Sequence, residues 1–167
     1  MQRAAITTRK LALTLALLTA LFAVTFAAAC GSDSDTPEVR DPNLAASPRD
    51  ALKIARDLWE ANGSDNYDIR LGWLCFCPVD LITERTIEVR NNAVASGGFP
   101  VESGTLAEHQ TVDGLFNLIE DALDRDAATL DISYHPTLGY PTQGNIDYDL
   151  RMADEEIGFT VHDLALR

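Results

Sequence analysis

Residues 67–78 have the sequence YDIRLGWLCFCP, in which apolar side chains recur at every second position. A period of two is typical of a β-strand that buries one of its faces. Pro78 has no backbone N–H to donate and is expected to end this strand. The predicted inward face carries Tyr67, Ile69, Leu71, Trp73, Cys75 and Cys77.

Five further strands are predicted on the same grounds. Residues 83–90 form the second strand, and Asn91-Asn92 suits a two-residue turn because asparagine tolerates positive φ. A short strand over residues 93–97 returns from that turn. The inward residues of the last three strands are Leu130, Ile132 and Tyr134, then Ile146 and Tyr148, then Ile157, Phe159 and Val161.

Two helices are predicted from capping residues and helical spacing. Ser47 can cap the first helix, Pro48 suits its first turn, and Gly63 is expected to end it in the left-handed conformation. Thr111 can cap the second helix, whose apolar residues form one stripe. That stripe comprises Val112, Leu115, Phe116, Ile119, Ala122 and Leu123.

The order of these elements predicts an α+β fold. The order α-βββ-α-βββ lacks the βαβ alternation that parallel sheets require. We therefore predict an antiparallel sheet of about six strands with two helices on one face, within a single domain over residues 48–167.

The first thirty residues have the pattern of an export signal. Arg3, Arg9 and Lys10 precede an uncharged apolar run over residues 11–29, and Cys30 follows three alanines. This pattern resembles a bacterial lipobox, after which the leader is cleaved and the cysteine is lipidated. We therefore predict a lipoprotein signal peptide and a membrane anchor at Cys30. An ordinary cleaved signal and a retained membrane helix are the alternatives.

Cleavage would remove residues 1–29, and the remaining chain would be strongly acidic. Residues 30–47 are rich in Ser, Asp and Pro and are expected to hold the lipidated Cys30 and a flexible tether. The full chain has 13 basic and 26 acidic residues, and three of the bases and none of the acids lie in the leader. The mature charge is thus 10 − 26 = −16, against −13 for the full chain. This charge argues against a nucleic-acid partner and against electrostatic docking on anionic lipid.

Several short motifs occur in the order found in one known family. They are Tyr67-Asp68-Ile69 and Cys75-Phe76-Cys77-Pro78, Val112-Asp113-Gly114-Leu115-Phe116, Tyr134-His135-Pro136, Gly139-Tyr140-Pro141, Ile146-Asp147-Tyr148-Asp149, and Asp154-Glu155-Glu156. Together they resemble the bacterial domain-of-unknown-function family 6174, whose members are often predicted lipoproteins. The resemblance covers about residues 58–164, and His135 stands where the family pattern has Asp. It brings no established activity.

Cys75 and Cys77 are the most reactive pair of side chains in the sequence. With Cys30 lipidated, they are the two thiols that remain in an oxidising compartment. On a flat strand their Cα atoms would lie about 6.6–6.8 Å apart, at the upper limit for a disulfide. We expect a bridge that clamps a bend beside Pro78. A reducible disulfide with a redox role, a metal-binding pair and two free thiols are the alternatives.

Five acidic residues cluster around the loop before the last strand, namely Asp147, Asp149, Asp154, Glu155 and Glu156. Carboxylate oxygens suit Ca²⁺, although the spacing is not that of an EF-hand. We expect a solvated, turn-forming loop, with Ca²⁺ binding as the alternative. The side chains of Asp147 and Asp149 are expected to point away from the core, because Ile146 and Tyr148 point inward.

The sequence contains no recognisable catalytic signature. His109, His135 and His162 are scattered, and no nucleophile elbow, zinc-binding helix or nucleotide-binding glycine loop is present. We therefore expect no enzyme activity, and no cofactor apart from the Ca²⁺ alternative.

The expected function is that of an exported, lipid-anchored binding or structural module of the cell envelope. Such a module would face the periplasm or the exterior, and its partner would be an envelope protein or a small ligand. A thiol–disulfide redox protein using Cys75 and Cys77 and a calcium-stabilised envelope module are the alternatives.

Overall fold

A computed structural model of the chain describes residues 40–100, 106–152 and 154–167. These residues form a mixed α+β fold with one antiparallel six-stranded sheet, as predicted. The elements are α1 (Pro48–Asn62), β1 (Tyr67–Leu74), α2 (Val79–Ile82), β2 (Arg85–Arg90), β3 (Ala93–Ser96), α3 (Val112–Asp124), β4 (Thr129–Tyr134), β5 (Pro141–Asp147) and β6 (Ile157–Leu166). The predicted leader and Cys30 lie outside the described residues. Among the helices that are described, none has the length and hydropathy needed to cross a bilayer.

The sheet has the strand order β3-β2-β1-β6-β5-β4. Its two central strands, β1 and β6, are far apart in the chain and pair from Tyr67 with Leu166 to Leu74 with Gly158. Each of the other pairs joins strands that are consecutive in the chain. As a result, the β1–β2 and β5–β6 connections leave the sheet at the same end.

The core is one buried cluster that contains residues of the two long helices together with the inward residues of the sheet. Along β1, buried residues alternate with more exposed ones, as the sequence pattern predicts. Trp59 of α1 packs edge-on against Tyr67, with ring centroids 5.4 Å apart. Trp73 packs edge-on against Phe159 of β6 at 6.0 Å. Both tryptophans are therefore core residues.

Local hydrogen bonds explain where the helices and the first hairpin begin and end. The Ser47 side chain accepts a hydrogen bond from the Asp50 N–H, and the Thr111 side chain accepts one from the Gly114 N–H. Both predicted caps are therefore confirmed. Asn91-Asn92 forms the turn between β2 and β3 with φ values of 52° and 58°, which confirms that prediction as well.

Gly63 follows α1 for a different reason from the one predicted. Its φ is −81°, so the expected left-handed conformation is wrong. A Cβ at this position would lie 2.6 Å from the Trp59 ring. Glycine fits here because the indole lies directly against the backbone.

The described fold begins before α1. Pro42–Leu44 forms a single 3-10 turn whose first N–H groups are capped by Asp41, and Pro42 is buried. The Asn43 side chain donates to the Tyr134 carbonyl at 2.9 Å and accepts from the Tyr134 N–H at 2.8 Å. The predicted tether, residues 30–47, therefore includes residues that pack on the domain, because a contact with a strand 91 positions later has no signal in the local sequence.

Candidate functional site

The β1 strand ends at Leu74, three residues earlier than the alternation predicts. The chain bends at Cys75 and Phe76, and the Cys75 and Cys77 sulfur atoms are bonded at 2.06 Å. Their Cα atoms lie 5.2 Å apart, closer than a flat strand would hold them. The bridge therefore clamps a bend, in agreement with the expected structural arrangement.

Large apolar side chains are exposed around this bridge. We call residues 74–84, 148–152 and 154–156, which form the two connections at this end of the sheet, the bridge end. Nine large hydrophobic side chains are exposed among the described residues, and six of them belong to the bridge end. Those six are Leu74, Phe76, Val79, Ile82, Leu150 and Met152. Phe76 is 90% exposed, the highest value of the nine.

The local structure explains why these side chains stay outside the core. The three-residue bridged segment holds Phe76 between two cysteines that pack against the core, so its ring faces the solvent. The short helix α2 has no buried residue. Several large apolar side chains exposed at one end of a sheet are typical of an interaction site.

The bridge end is also strongly acidic. It holds six acids and one base, Arg151, so its formal charge is 1 − 6 = −5. Arg151 donates two hydrogen bonds to Asp149 at 2.8 and 2.9 Å and lowers the pKa of that carboxyl. Glu84 pairs with Arg70 and lies 3.3 Å from His162. The remaining four acids, Asp80, Asp154, Glu155 and Glu156, form no ion pair with any described residue.

The structure does not bring the predicted calcium ligands together. Asp147 is buried, although a solvated residue is expected at this position of the loop. Its carboxylate accepts a hydrogen bond from the Asp149 N–H at 3.0 Å, which closes a turn instead of facing a cation. The Asp149 carboxylate is held by Arg151. In the part of the chain that the structure describes, no three potential metal ligands form a group.

The three histidines are separate and each has a local partner. The His109 ring lies 2.9 Å from the Gly114 carbonyl, and the His135 ring stacks on Tyr140 with centroids 4.9 Å apart. His162 belongs to the Glu84 pair on the polar face of the sheet. The buried position of Tyr140 gives that side chain a structural role.

Two concave regions lie away from the bridge end. A groove of about 990 Å³ runs beside α1 and is lined by Leu44, Ile54 and Leu58 together with polar residues. A polar pocket of about 290 Å³ is lined by Trp59, Asp113 and others. Burial raises the pKa of Asp113, and the positive charge of Arg56 partly offsets this shift. Both concavities come from packing between elements, so sequence periodicity carried no signal for them.

The apolar surface itself was missed at the sequence level, although part of its signal was present. Leu74 and Phe76 fall on the outward positions of the first strand's alternation, where polar residues are expected. Leu150 and Met152 interrupt an otherwise polar, acidic loop. Each residue alone is unremarkable, and only the pairing of β1 with β6 puts the two segments at one end.

Comparison with known proteins yields one match. Residues 51–166 match the model of a family described as a family of unknown function, DUF6174. The match runs from the first turn of α1 to the last residue of β6 and includes the whole bridge end. No curated protein and no solved structure matches the chain.

Proposed function

The chain belongs to the DUF6174 family, whose function is unknown, and we propose that it is an exported, lipid-anchored, non-catalytic binding module of the cell envelope. In this proposal residues 1–29 are the signal peptide, Cys30 carries the lipid, and a tether that ends before Asp41 links it to one domain. The contact surface is the bridge end. The leader pattern supports the anchor, and the apolar surface supports the binding role.

The exposure of Phe76 is the observation that carries this proposal. Burying a phenylalanine side chain stabilises a protein by about 1.5–3 kcal/mol, so leaving one almost fully exposed forgoes that gain. Here the cysteines on both sides pack on the core while the ring between them does not. A covalent clamp that holds an aromatic side chain in solvent is well suited to presenting it to a partner, because the clamp lowers the entropy lost on binding.

The proposal also takes both long helices to lie on the same face of the sheet. Residues of α1 and α3 belong to one buried cluster with the inward residues of β1, which supports this placement. The opposite face carries ion pairs, including Arg70–Glu84 and Arg90–Asp68. Because the charged side chains of that face already pair with each other, a partner would gain less by binding there than at the apolar bridge end.

A thiol–disulfide redox function is the second candidate. The half-buried positions of Cys75 and Cys77 favour it, because they leave the bridge within reach of another thiol. A partner thiolate would attack one bridge sulfur, and the partner's second thiol would resolve the mixed disulfide. The two cysteines would then be reduced and the partner oxidised, with two electrons transferred.

Site-specific photo-crosslinking in living cells tests the binding function. A photoreactive phenylalanine analogue replaces Phe76 or Leu150 at the bridge end, and the exposed Leu44 serves as the matched control position. We expect the same partner to be captured from positions 76 and 150 and not from 44. Capture at equal yield from all three positions, or from none while the lipoprotein is present, would contradict the proposal.

Two further experiments separate the candidate functions and test the anchor. If the function is binding, Phe76→Ser should abolish capture from position 150 although the disulfide remains. If the function is redox exchange, Phe76→Ser should leave it intact, whereas loss of either cysteine should abolish it. Mass spectrometry of the mature N-terminus should show an acylated Cys30. An unmodified Cys30 would remove the anchor from the proposal.

A further inference from the structure

We propose that the bridge end binds a polypeptide segment of its partner in which apolar side chains are flanked by Lys or Arg. This inference rests on the proposed binding function and specifies the chemistry of the partner. It follows from two properties of one surface, the exposed apolar side chains and the unpaired carboxylates beside them.

The apolar part of the surface can accept several side chains at once. Phe76 and Leu74 extend from the end of β1, and Val79 lies on the adjoining α2. Leu150 and Met152 come from the connection between β5 and the neighbouring β6. An aromatic anchor surrounded by aliphatic and methionine side chains is the composition found at the centre of protein interfaces.

The charge of the same surface determines what must accompany those apolar groups. Asp80, Asp154, Glu155 and Glu156 form no ion pair with a described residue, and the one arginine in these connections is held by Asp149. Covering this surface would desolvate the carboxylates, which is unfavourable unless the partner provides positive charge. Lys or Arg beside the apolar anchors would satisfy that need.

The same charge argues against the other possible occupants. A second copy of the chain would bring a surface of like charge, at −5 for each bridge end. An anionic bilayer would repel the carboxylates as well, although acyl chains at Cys30 would hold the protein near one. A basic segment of another protein is the occupant that fits both the apolar and the charged groups.

Peptide binding to the mature lipidated protein in phosphatidylcholine nanodiscs tests this chemistry. Three fluorescent probes of equal length are used, with alternating Leu and Lys, Ser and Lys, or Leu and Glu, and empty nanodiscs give the background. We expect only the Leu–Lys peptide to bind well, and to bind more weakly at high salt because the attraction is partly electrostatic. If the Ser–Lys peptide binds equally tightly, charge alone drives the binding and the inference is overturned. Equally tight binding of the Leu–Glu peptide would also overturn it.

Matched variants locate the binding. Phe76→Ser, and separately Asp154→Asn with Glu155→Gln and Glu156→Gln, should each weaken Leu–Lys binding by about tenfold or more. The controls are Leu44→Ser, and Glu60→Gln with Asp131→Asn and Asp163→Asn, which remove one apolar side chain and three negative charges elsewhere on the surface. We expect the controls to stay within about twofold of the wild type. An equal loss in the controls would contradict the assignment to the bridge end.

The photo-crosslinks from position 76 in cells separate this inference from the proposed function. A captured segment rich in Lys or Arg and apolar residues supports both. A captured segment that is acidic or uncharged overturns the inference and leaves the binding function intact. Adducts with lipid or with a second copy overturn the inference in favour of those occupants, and the absence of adducts overturns the binding function itself.

Discussion

The Tyr67 hydroxyl oxygen accepts a hydrogen bond from the Val112 backbone N–H, 2.8 Å away, and so joins the first residue of β1 to the first residue of α3. The N–H groups in the first turn of a helix have no partner within the helix. Both residues are buried, so water cannot replace this bond. The phenol therefore acts as a long-range cap that fixes the second long helix on the central strand.

Replacing Tyr67 with Phe should destabilise the domain by about 1–3 kcal/mol, because it leaves a buried N–H without an acceptor. Tyr148→Phe is the matched control, since its hydroxyl donates to Asp121 at 3.2 Å in an exposed position. We expect the control to change the free energy of unfolding by less than about 0.5 kcal/mol. Urea denaturation measures both values, and equal losses would contradict the capping role of Tyr67.

Alkaline pH should destabilise the fold through its tyrosines. Burial, partly offset by the Val112 hydrogen bond, raises the pKa of Tyr67 from 10.0 to about 12, and burial also raises the pKa of Tyr134, Tyr140 and Tyr148. A folded pKa above the unfolded value means that the stabilisation is complete below pH 10 and is lost as the pH rises through 12. Lys53 is the only lysine after residue 10, so few other groups titrate in this range.

The free energy of unfolding, measured at intervals between pH 9 and about pH 12, should therefore fall steadily. The fall should be shallower in Tyr67→Phe, because that variant has one fewer shifted phenol. The tyrosinate absorbance should also rise at a higher pH in the folded protein than in the urea-unfolded chain. Coincident titration curves would refute the predicted shifts.

Two glycines of similar exposure should respond in opposite ways to alanine. At Gly63 the new Cβ would lie 2.6 Å from the Trp59 ring and force the indole or the backbone to move, at a cost of about 1–3 kcal/mol. At Gly72 the nearest atom is His162 Nε2 at 3.6 Å, which is an ordinary contact. Gly72→Ala should be neutral or stabilising by up to about 1 kcal/mol. Thermal unfolding followed by circular dichroism compares the pair, and the reverse order would contradict the described packing.

Removing the bridge should cost little stability. Cys75→Ser with Cys77→Ser opens a loop of three residues, for which chain entropy predicts a loss of about 2 kcal/mol or less. The domain should therefore stay folded while peptide binding weakens, because Phe76 is no longer held in place. If the double variant instead unfolds under native conditions, the bridge has a larger structural role than that of a clamp at a strand end.

Calcium ions should leave the thermal midpoint unchanged. Both oxygens of Asp149 accept hydrogen bonds from Arg151, and Asp147 is buried and closes a turn, so neither presents a free carboxylate. Differential scanning calorimetry with and without millimolar Ca²⁺ tests this. A rise in the midpoint that Asp154→Asn with Glu156→Gln abolishes would restore the calcium-stabilised alternative.

Features that depend on neighbours in the chain were predictable from the sequence. The caps at Ser47 and Thr111, the Asn91-Asn92 turn and the alternation along β1 all follow from local geometry, and all are present. Features that depend on distant contacts were not. Asn43 falls in the predicted tether, yet its side chain bonds to the Tyr134 backbone 91 positions away.

The candidate site illustrates the same division. The disulfide was predictable from two cysteines beside a proline, because the distance between their Cα atoms depends only on the local backbone. The apolar surface includes Leu150 and Met152 because their connection lies at the end of the sheet where β1 ends. This arrangement depends on the pairing of β1 with β6. Asp147 is buried and its own carboxylate closes a turn, a detail that alternation alone does not encode.

The central pairing of β1 with β6 has a consequence for the order in which the chain can fold. Hydrogen bonds such as that from Arg167 to Asp68 connect residues 99 positions apart, so the middle of the sheet cannot assemble while its second central strand is still being synthesised or translocated. Contacts of such long range slow folding. If the chain is exported as proposed, a polypeptide whose central sheet cannot form until β6 has emerged is suited to a translocation channel that passes only extended chains.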